Sequence, residues 1–267
     1  MPVPALPRSD VVASLRAAGC VFAEDEARLL IEAATSEAEL AALVGRRAEG
    51  TPLEHLLGWA GFHGDRVTLA PGVFVPRRRS EFLVDRAAAV APPAPIVVDL
   101  CCGSGALGAA LARVLGNVRL FAADIDPAAA DCARRNIAEF GGSAYHGDLY
   151  APLPPSLRGT VDVVLANVPY VPSGEVGLLP REAREHEPPR ALDGGPDGLD
   201  LLRRVAAEAP EWLAPGGHLF FETSESQAPL AVAALTRAGL TATVAHSEDL
   251  GATVVSGTLA PARNSRS

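Results

Sequence analysis

From Pro95 onward, short runs of apolar and β-branched residues alternate with segments of helical periodicity. IVVDL is followed by ALGAALARVL, LFAAD by AAADCARRNIAEF, VDVVLAN by LDLLRRVAAEA, and HLFFET by a helical pattern from about Gln227 to Ala238. Strands separated by helices run parallel, because the chain must cross back over one face of the sheet before the next strand begins. This predicts an α/β fold with a mostly parallel sheet covered on both faces. TATVAHSE and TVVSGTL close the chain with no helix between them, so an antiparallel strand is expected at that edge.

The first 50 residues have a different texture. Ser9-Asp10 is positioned to cap VVASLRAAG, AEDEARLLIEAA has an acidic first turn and an apolar face, and Ser36 with Glu39 has capping-box spacing. These segments predict a small helical domain at 1–50. Residues 51–80 carry Gly58, Gly61, Gly64, Gly72, Pro52, Pro71 and Pro76, which break any long element, and read as a linker in which VTLAPGVFV forms a hairpin. The α/β domain is expected over 81–260, with a frayed tail at 261–267.

Bulk properties exclude several classes. The 267-residue chain is 48% hydrophobic, enough for a real core. A net charge of −9 argues against a duplex DNA or long RNA partner, which calls for a basic face. The four cysteines include no C-x-x-C pair, and the six histidines show no ligand spacing, so neither a disulfide framework nor a metal site is expected. Trp59 and Trp212 read as packing residues. No signal-peptide pattern opens the chain and no apolar run is long enough to span a membrane, which predicts a cytoplasmic protein.

VVDLCCGSGALGAALA places Gly103, Gly105 and Gly108 between a strand and a helix, a literal G-x-G-x-x-G. Glycine permits close backbone approach, and the helix start offers free N–H groups. Asp124 ends the next strand, where a carboxylate can accept from ribose hydroxyls. The motif alone indicates an adenosine-containing ligand. Asp99, just before the loop, would repel a pyrophosphate but suits the cationic sulfonium and ammonium of S-adenosyl-L-methionine (SAM). Asp148, after a further expected strand, can accept from an adenine amino group. Singly, each carboxylate could be a turn or helix cap. Three at successive strand ends match a cationic nucleoside better than a dinucleotide, and an NAD-dependent oxidoreductase would leave Asp99 without a role.

In order and spacing, these segments resemble the class I SAM-dependent methyltransferases of the HemK-type protein-(glutamine-N(5)) family, which modify the glutamine of the GGQ motif in peptide-chain release factors. The resemblance runs over EDEARLLIEAA, TPLEHLLGWAGFHG, VFVPRRRSE, the glycine loop, AADIDPAAADCARRN, GDLYAPL, ANVPYVP, EPPRALDGGPDGLDLLRRV and LAPGGHLFFET. It implies a Rossmann-like, seven-stranded sheet preceded by a helical substrate-recognition domain. It also implies SAM contacts from Asp99, Cys101, Cys102, Gly103, Ser104, Gly105, Asp124, Ile125, Asp148, Leu149 and Asn167. The expected partner is a protein bearing a target glutamine, a release factor in the family's usual case. An adenine amino-methyltransferase on DNA or RNA is the alternative, since it shares the next motif.

That motif is Asn167-Val168-Pro169-Tyr170, where the family has Asn-Pro-Pro-Tyr. An amide nitrogen is a poor nucleophile and too weakly acidic for a carboxylate to deprotonate, so what helps is aim. The resemblance implies that the Asn167 side-chain oxygen and the backbone carbonyl of Val168 accept the two N–H groups of the substrate nitrogen, that Pro169 stiffens the turn, and that Tyr170 covers the flat group. Asn167, Pro169 and Tyr170 are thus the catalytic candidates, with Val168 joining them in substrate binding. Cys101 replaces the usual first glycine of the loop, and Arg78-Arg79-Ser80 replaces Pro-Glu-Thr.

Overall fold

The computed structural model describes residues 7–261; the frayed tail expected at the C-terminus lies, from residue 262, outside them, as do residues 1–6. Three helices open the chain: α1 (Arg8–Ala17), α2 (Ala23–Ala33) and α3 (Glu37–Ala48). Val11, Leu15, Leu30, Leu40 and Val44 pack into a core of their own. Ser9 and Asp10 do not cap α1. The helix begins earlier, at Arg8 after Pro7, whose fixed φ suits a helix entry and whose carbonyl takes the Asp10 N–H at 2.8 Å. Ser36 does cap α3, accepting from the Glu39 N–H at 3.2 Å, but the Glu39 carboxylate turns to the Thr35 N–H instead of closing the box.

A short α4 (Leu53–Leu57) leads into a hairpin of β1 (Trp59–Phe62) and β2 (Asp65–Thr68). The hairpin thus sits earlier than VTLAPGVFV. His63 (φ +50°) and Gly64 (φ +82°) supply the two left-handed residues of a two-residue turn, which the Pro71-Gly72 stretch cannot do with proline in first place. The chain then runs through Arg77–Ser80 into α5 (Glu81–Ala88).

The remaining elements are β3 (Ile96–Leu100), α6 (Ala106–Leu115), β4 (Arg119–Asp124), α7 (Pro127–Ile137), β5 (Ser143–His146), β6 (Val161–Ala166), α8 (Arg181–His186), α9 (Asp200–Trp212), β7 (Leu213–Thr223), α10 (Ala228–Arg237), β8 (Thr241–Ser247) and β9 (Ala252–Thr258). They alternate as the sequence predicts, except that no α-helix separates β5 from β6 and that α8 forms in the stretch between β6 and α9, where no helix was expected. The seven-stranded sheet has the order β5-β4-β3-β6-β7-β9-β8. The first five are parallel, and β9 lies antiparallel between β7 and β8. Order reverses between β3 and β4 on one side and β6 on the other, the switch point where open α/β sheets bind ligands.

Alternation along each central strand divides the core. Val97, Val163 and Leu165 face α5, α6 and α7, while Val98, Val164 and Ala166 face α9 and α10, and all six are buried. Tyr150 stacks on Trp212 at 5.3 Å between ring centroids, so Trp212 is the packing residue expected of it. Among the described residues no helix is long and apolar enough to cross a membrane.

Gly105 sets the approach of α6 to α7. It has φ +76°, and an added Cβ would lie 3.0 Å from both the Cα and Cβ of Ala133. Gly105→Ala is expected to destabilise the fold by about 2–4 kcal/mol, from left-handed strain plus overpacking. The midpoint of urea denaturation measures this; an unchanged midpoint would mean that the two helices do not depend on the glycine for their spacing.

Candidate active site

A cavity of about 990 Å³ opens at the carboxyl ends of β3, β4 and β6 and extends to the N-terminal helices. Asp99, Cys101, Cys102, Gly103, Ser104, Asp124, Ile125, Asp148, Leu149, Asn167, Val168, Pro169 and Tyr170 all line it. Of the site residues expected from sequence, Gly105 is the exception. It caps α6 and packs on Ala133, positioning the loop from behind.

The loop between β3 and α6 is built for close approach. Gly103 has φ +53°, and an added Cβ would meet nothing within 4 Å, so open space reaches the backbone there. Cys101 also has a left-handed φ, +51°. The conformation that favours glycine is therefore kept with a side chain in place, at a cost of about 1 kcal/mol or a little more. Burial first, then the charges of Asp124, Asp99 and Asp148, push the Cys101 thiol well above the ordinary cysteine range. It is a neutral packing group and not a nucleophile.

The three acidic strand ends differ in role. Asp124 is braced on both oxygens, accepting from the Gly103 N–H at 2.9 Å and the Asp126 N–H at 2.8 Å. Burial raises its pKa and the two amides oppose the shift. It therefore ties the glycine loop to the end of β4. Next to it Ile125 stands half exposed on the cavity wall, an apolar surface for a flat ring. Asp148, half exposed, pairs with Arg204 at 2.6 Å. Asp99 is fully buried, and its Oδ2 accepts from the Gly108 N–H at 3.0 Å in the first turn of α6. It braces the helix start at the cavity floor. Burial is the main reason its pKa is pushed up to about 8, with the Gly108 amide opposing and the Asp124 charge adding.

Asn167 follows directly on β6. Its Nδ2 donates to Ser80 Oγ at 3.3 Å, and among the described residues its Oδ1 takes no hydrogen bond. Val168 is buried in the core beneath the motif. The Tyr170 hydroxyl donates to Glu222 Oε1 at 2.7 Å and accepts from Arg79 Nη2 at 2.6 Å, and Arg79 Nε donates to the same carboxylate at 2.9 Å. Ser80 donates to Glu222 Oε2. Burial, then the Glu222 charge, push the Tyr170 phenol well above the ordinary tyrosine range. A second cavity of about 590 Å³ adjoins this cluster and shares Arg79 and Tyr170 with the first.

The loop after the motif folds back onto it. The Val171 N–H donates to Leu192 O, and the Gly194 N–H to Val171 O at 2.9 Å. Gly194 and Gly198 press so closely that added Cβ atoms would lie 2.6 Å from Pro169 O and 2.2 Å from Tyr170 O. Gln227 Nε2 completes the brace at 2.8 Å from Tyr170 O. Glu187, which ends α8, is buried and accepts from Arg77 Nη2 at 2.7 Å and the Val75 N–H at 3.3 Å. Arg47 bonds Glu26 at 2.6 Å and also Glu182, joining the N-terminal helices to α8.

Sequence reading alone did not find Glu222, Ser80, Arg79, Gln227 or the Arg77–Glu187 pair. Glu222 carried a usable signal: it stands near the carboxyl end of β7 in HLFFET, as Asp99 and Asp124 do on their strands. Ser80 carried only its place in VFVPRRRSE, and nothing there pointed to its partners, 87 and 142 positions away.

Comparison with known proteins separates the readings. The methyltransferase small domain family matches residues 66–179. A release factor glutamine methyltransferase from Mycolicibacterium smegmatis is 40% identical over 78% of this chain and 74% of its own length. The chain belongs to the release factor glutamine methyltransferase family. It is a methyltransferase, and the oxidoreductase reading of the glycine loop falls away. Within reach of the same family lies a 4-amino-L-phenylalanine/4-methylamino-L-phenylalanine methyltransferase from Streptomyces pristinaespiralis, 40% identical over 69% of this chain and 65% of that protein. A methyltransferase crystal structure from Pyrococcus furiosus shares the fold, with a TM-score of 0.54 at 16% identity over 73% of this chain and 88% of that one.

The buried carboxyl of Asp99 makes stability depend on pH. A folded-state pKa of about 8, raised above the ordinary aspartate value, means that the folded protein holds the proton more tightly than the unfolded chain. Its contribution is complete below about pH 4 and is lost as pH rises through about 8. Asp99→Asn keeps an acceptor for the Gly108 N–H and has no proton to lose. The difference in stability between variant and parent, measured by urea denaturation without added ligand, should move in the variant's favour from pH 5 to pH 8. A constant difference would place the Asp99 pKa near its ordinary value.

Proposed function

We propose that this family member transfers a methyl group from SAM to the side-chain amide nitrogen of a protein glutamine, the substrate being a peptide-chain release factor in the cytoplasm. The observation that carries this reading is Asn167. Its amide oxygen stands free at a strand end, on the same cavity as the glycine loop, with its nitrogen already engaged behind it.

The residues present fit SAM. Backbone is exposed at Gly103, Asp124 and Asp148 suit ribose hydroxyls and an adenine amine, and Ile125 offers an apolar wall. The cations near the rim, Arg204 and Arg190, are paired with Asp148 and Asp126, which disfavours a phosphate-bearing ligand. When bound, SAM supplies an electrophilic methyl carbon on a sulfonium leaving group. The chain's part is positional. Asn167 Oδ1 and the Val168 carbonyl accept the two amide hydrogens and hold the nitrogen in line. They also stabilise the positive charge that grows on it as the new bond forms. No base is required before attack, because the proton becomes acidic only once the nitrogen is alkylated.

The helical segment 1–50 is proposed as the substrate-recognition domain. Phe22, largely exposed, stands where the cavity meets α2, a contact surface for a protein. A second reading has one specific observation behind it: the Streptomyces relative is named for aromatic amines, of which 4-amino-L-phenylalanine carries two hydrogens on its ring nitrogen substituent. The same acceptor pair would hold it.

The direct test is incubation with labelled SAM and a release factor, followed by mapping of the methylated residue, with 4-aminophenylalanine as the parallel acceptor. Label on the GGQ glutamine supports the proposal; label only on the aromatic amine moves the assignment to the second reading. Asn167→Ala should lower kcat by about 10²–10³ with SAM affinity retained, the scale for removing one preorganised polar partner. Val168→Pro should be tolerated, because it leaves the carbonyl in place. Wild-type kcat in Asn167→Ala would make the motif a structural turn.

A further inference from the structure

We infer that Ser80 and Glu222 form a polarity relay that fixes which end of the Asn167 amide faces the acceptor, making Ser80 a positioning residue for methyl transfer. The inference about the fold stands on the geometry alone; its consequence for the acceptor rests on the reading above.

The relay follows from counting hydrogens. Glu222 is buried, and three donors converge on its two oxygens: Arg79 Nε and the Tyr170 hydroxyl on Oε1, the Ser80 hydroxyl on Oε2. A group meeting three donors, one of them a guanidinium, acts as acceptor only. Ser80 is completely buried and has a single proton, which goes to Glu222. Toward Asn167, Ser80 therefore has only lone pairs to offer. The amide must present its NH₂ to Ser80, as it does at 3.3 Å, and its oxygen to the cavity. The flipped amide would set oxygen against oxygen, or force the serine to abandon a charge-assisted bond. The direction of the proton chain thus makes the cavity side an acceptor. That selects an NH₂ group and rejects a carboxylate, so a glutamine would be distinguished from a glutamate of the same shape.

Arg79 and Tyr170 hold the far end of the relay. Arg79 closes a triangle with Tyr170 and Glu222, and its guanidinium lies over the Tyr170 ring at 5.8 Å. The Arg77–Ser80 turn and the Asn167–Tyr170 turn are consequently locked to the end of β7 through one carboxylate. Both cavities border this knot, in which Ser80 and Glu222 are buried and Arg79 is half exposed.

Ser80→Ala removes the relay and leaves the amide without a preferred orientation. We expect kcat to fall about 10- to 100-fold with the dissociation constant for SAM unchanged, since aim is lost and cofactor contacts are not. Ser80→Thr keeps the hydroxyl and should restore most of kcat. Glu222→Gln can donate to Ser80 and so reverse the chain, turning the Asn167 NH₂ toward the cavity. In competition assays with a GGQ peptide and its GGE counterpart, the parent should favour GGQ, while Ser80→Ala and Glu222→Gln should narrow or invert the preference. Neutron diffraction from the deuterated parent and Ser80→Ala reads the orientation directly. Deuterons on the Ser80 side in the parent, with mixed orientation in the variant, support the relay. Deuterons facing the cavity, or an orientation and kcat indifferent to Ser80→Ala, overturn it. A parent that methylates no glutamine would sink the proposed function, and the neutron result would still decide the relay.

Discussion

A sheet buried on both faces leaves its polar groups nowhere to stand except at the rim. Val97 and Val98 point to opposite sides and both are buried, as are Val163 and Val164. Burying an unpaired polar group in either layer would cost a few kcal/mol, so the strands carry almost none until they end. Because β3, β4, β6 and β7 are parallel, their ends lie on one edge. Asp99, Asp124, Asn167 and Glu222 meet there for that reason, though 123 positions separate the first from the last. The site is the consequence of a solvation rule applied four times in the same direction.

What fixes the rim is a set of buried charges spanning long stretches of chain. Arg77 reaches Glu187 and Arg79 reaches Glu222, drawing the linker across the strand ends. Such pairs add little over well-packed apolar residues, yet removing the arginine leaves a buried carboxylate unpaired. Their value is in geometry: they tolerate one arrangement and penalise the rest. Gly194 and Gly198 work to the same end by absence of a side chain. Backbone carbonyls of Pro169 and Tyr170 occupy the space where Cβ atoms would stand, so loop and motif pack as one unit.

Most of the architecture was legible because it is written in periodicity. Six strand-like runs gave six of the seven strands, and the two final runs without a helix between them gave the antiparallel pair; the seventh, β5, was expected only as a strand ahead of Asp148. The loop, Asp124 and Asn167 were legible because each sits next to a run whose end is visible in the sequence. The hairpin was misplaced because Pro71-Gly72 and His63-Gly64 both look like turns; only φ preference at the first position, permissive for His63 and closed to proline, separates them. Asp99 lines the cavity, but its bracing of Gly108 was not legible, since a carboxylate within a strand's last two residues can turn either way. Glu222 was marked only by its place at a strand end. Its pairing with Ser80 was out of reach for a different reason: it joins groups brought together by tertiary folding, and no local pattern encodes it.

Arg79 and Tyr170 border both cavities, so the partition between the two is about one side chain thick. It is nonetheless stiff, pinned by the Glu222 carboxylate from behind. On that side Arg79 and Tyr170 close the larger cavity off from the smaller one. An extended strand could not be threaded past the partition. Under the proposed function, such a wall favours an acceptor carried on a protruding loop or at the end of a small molecule.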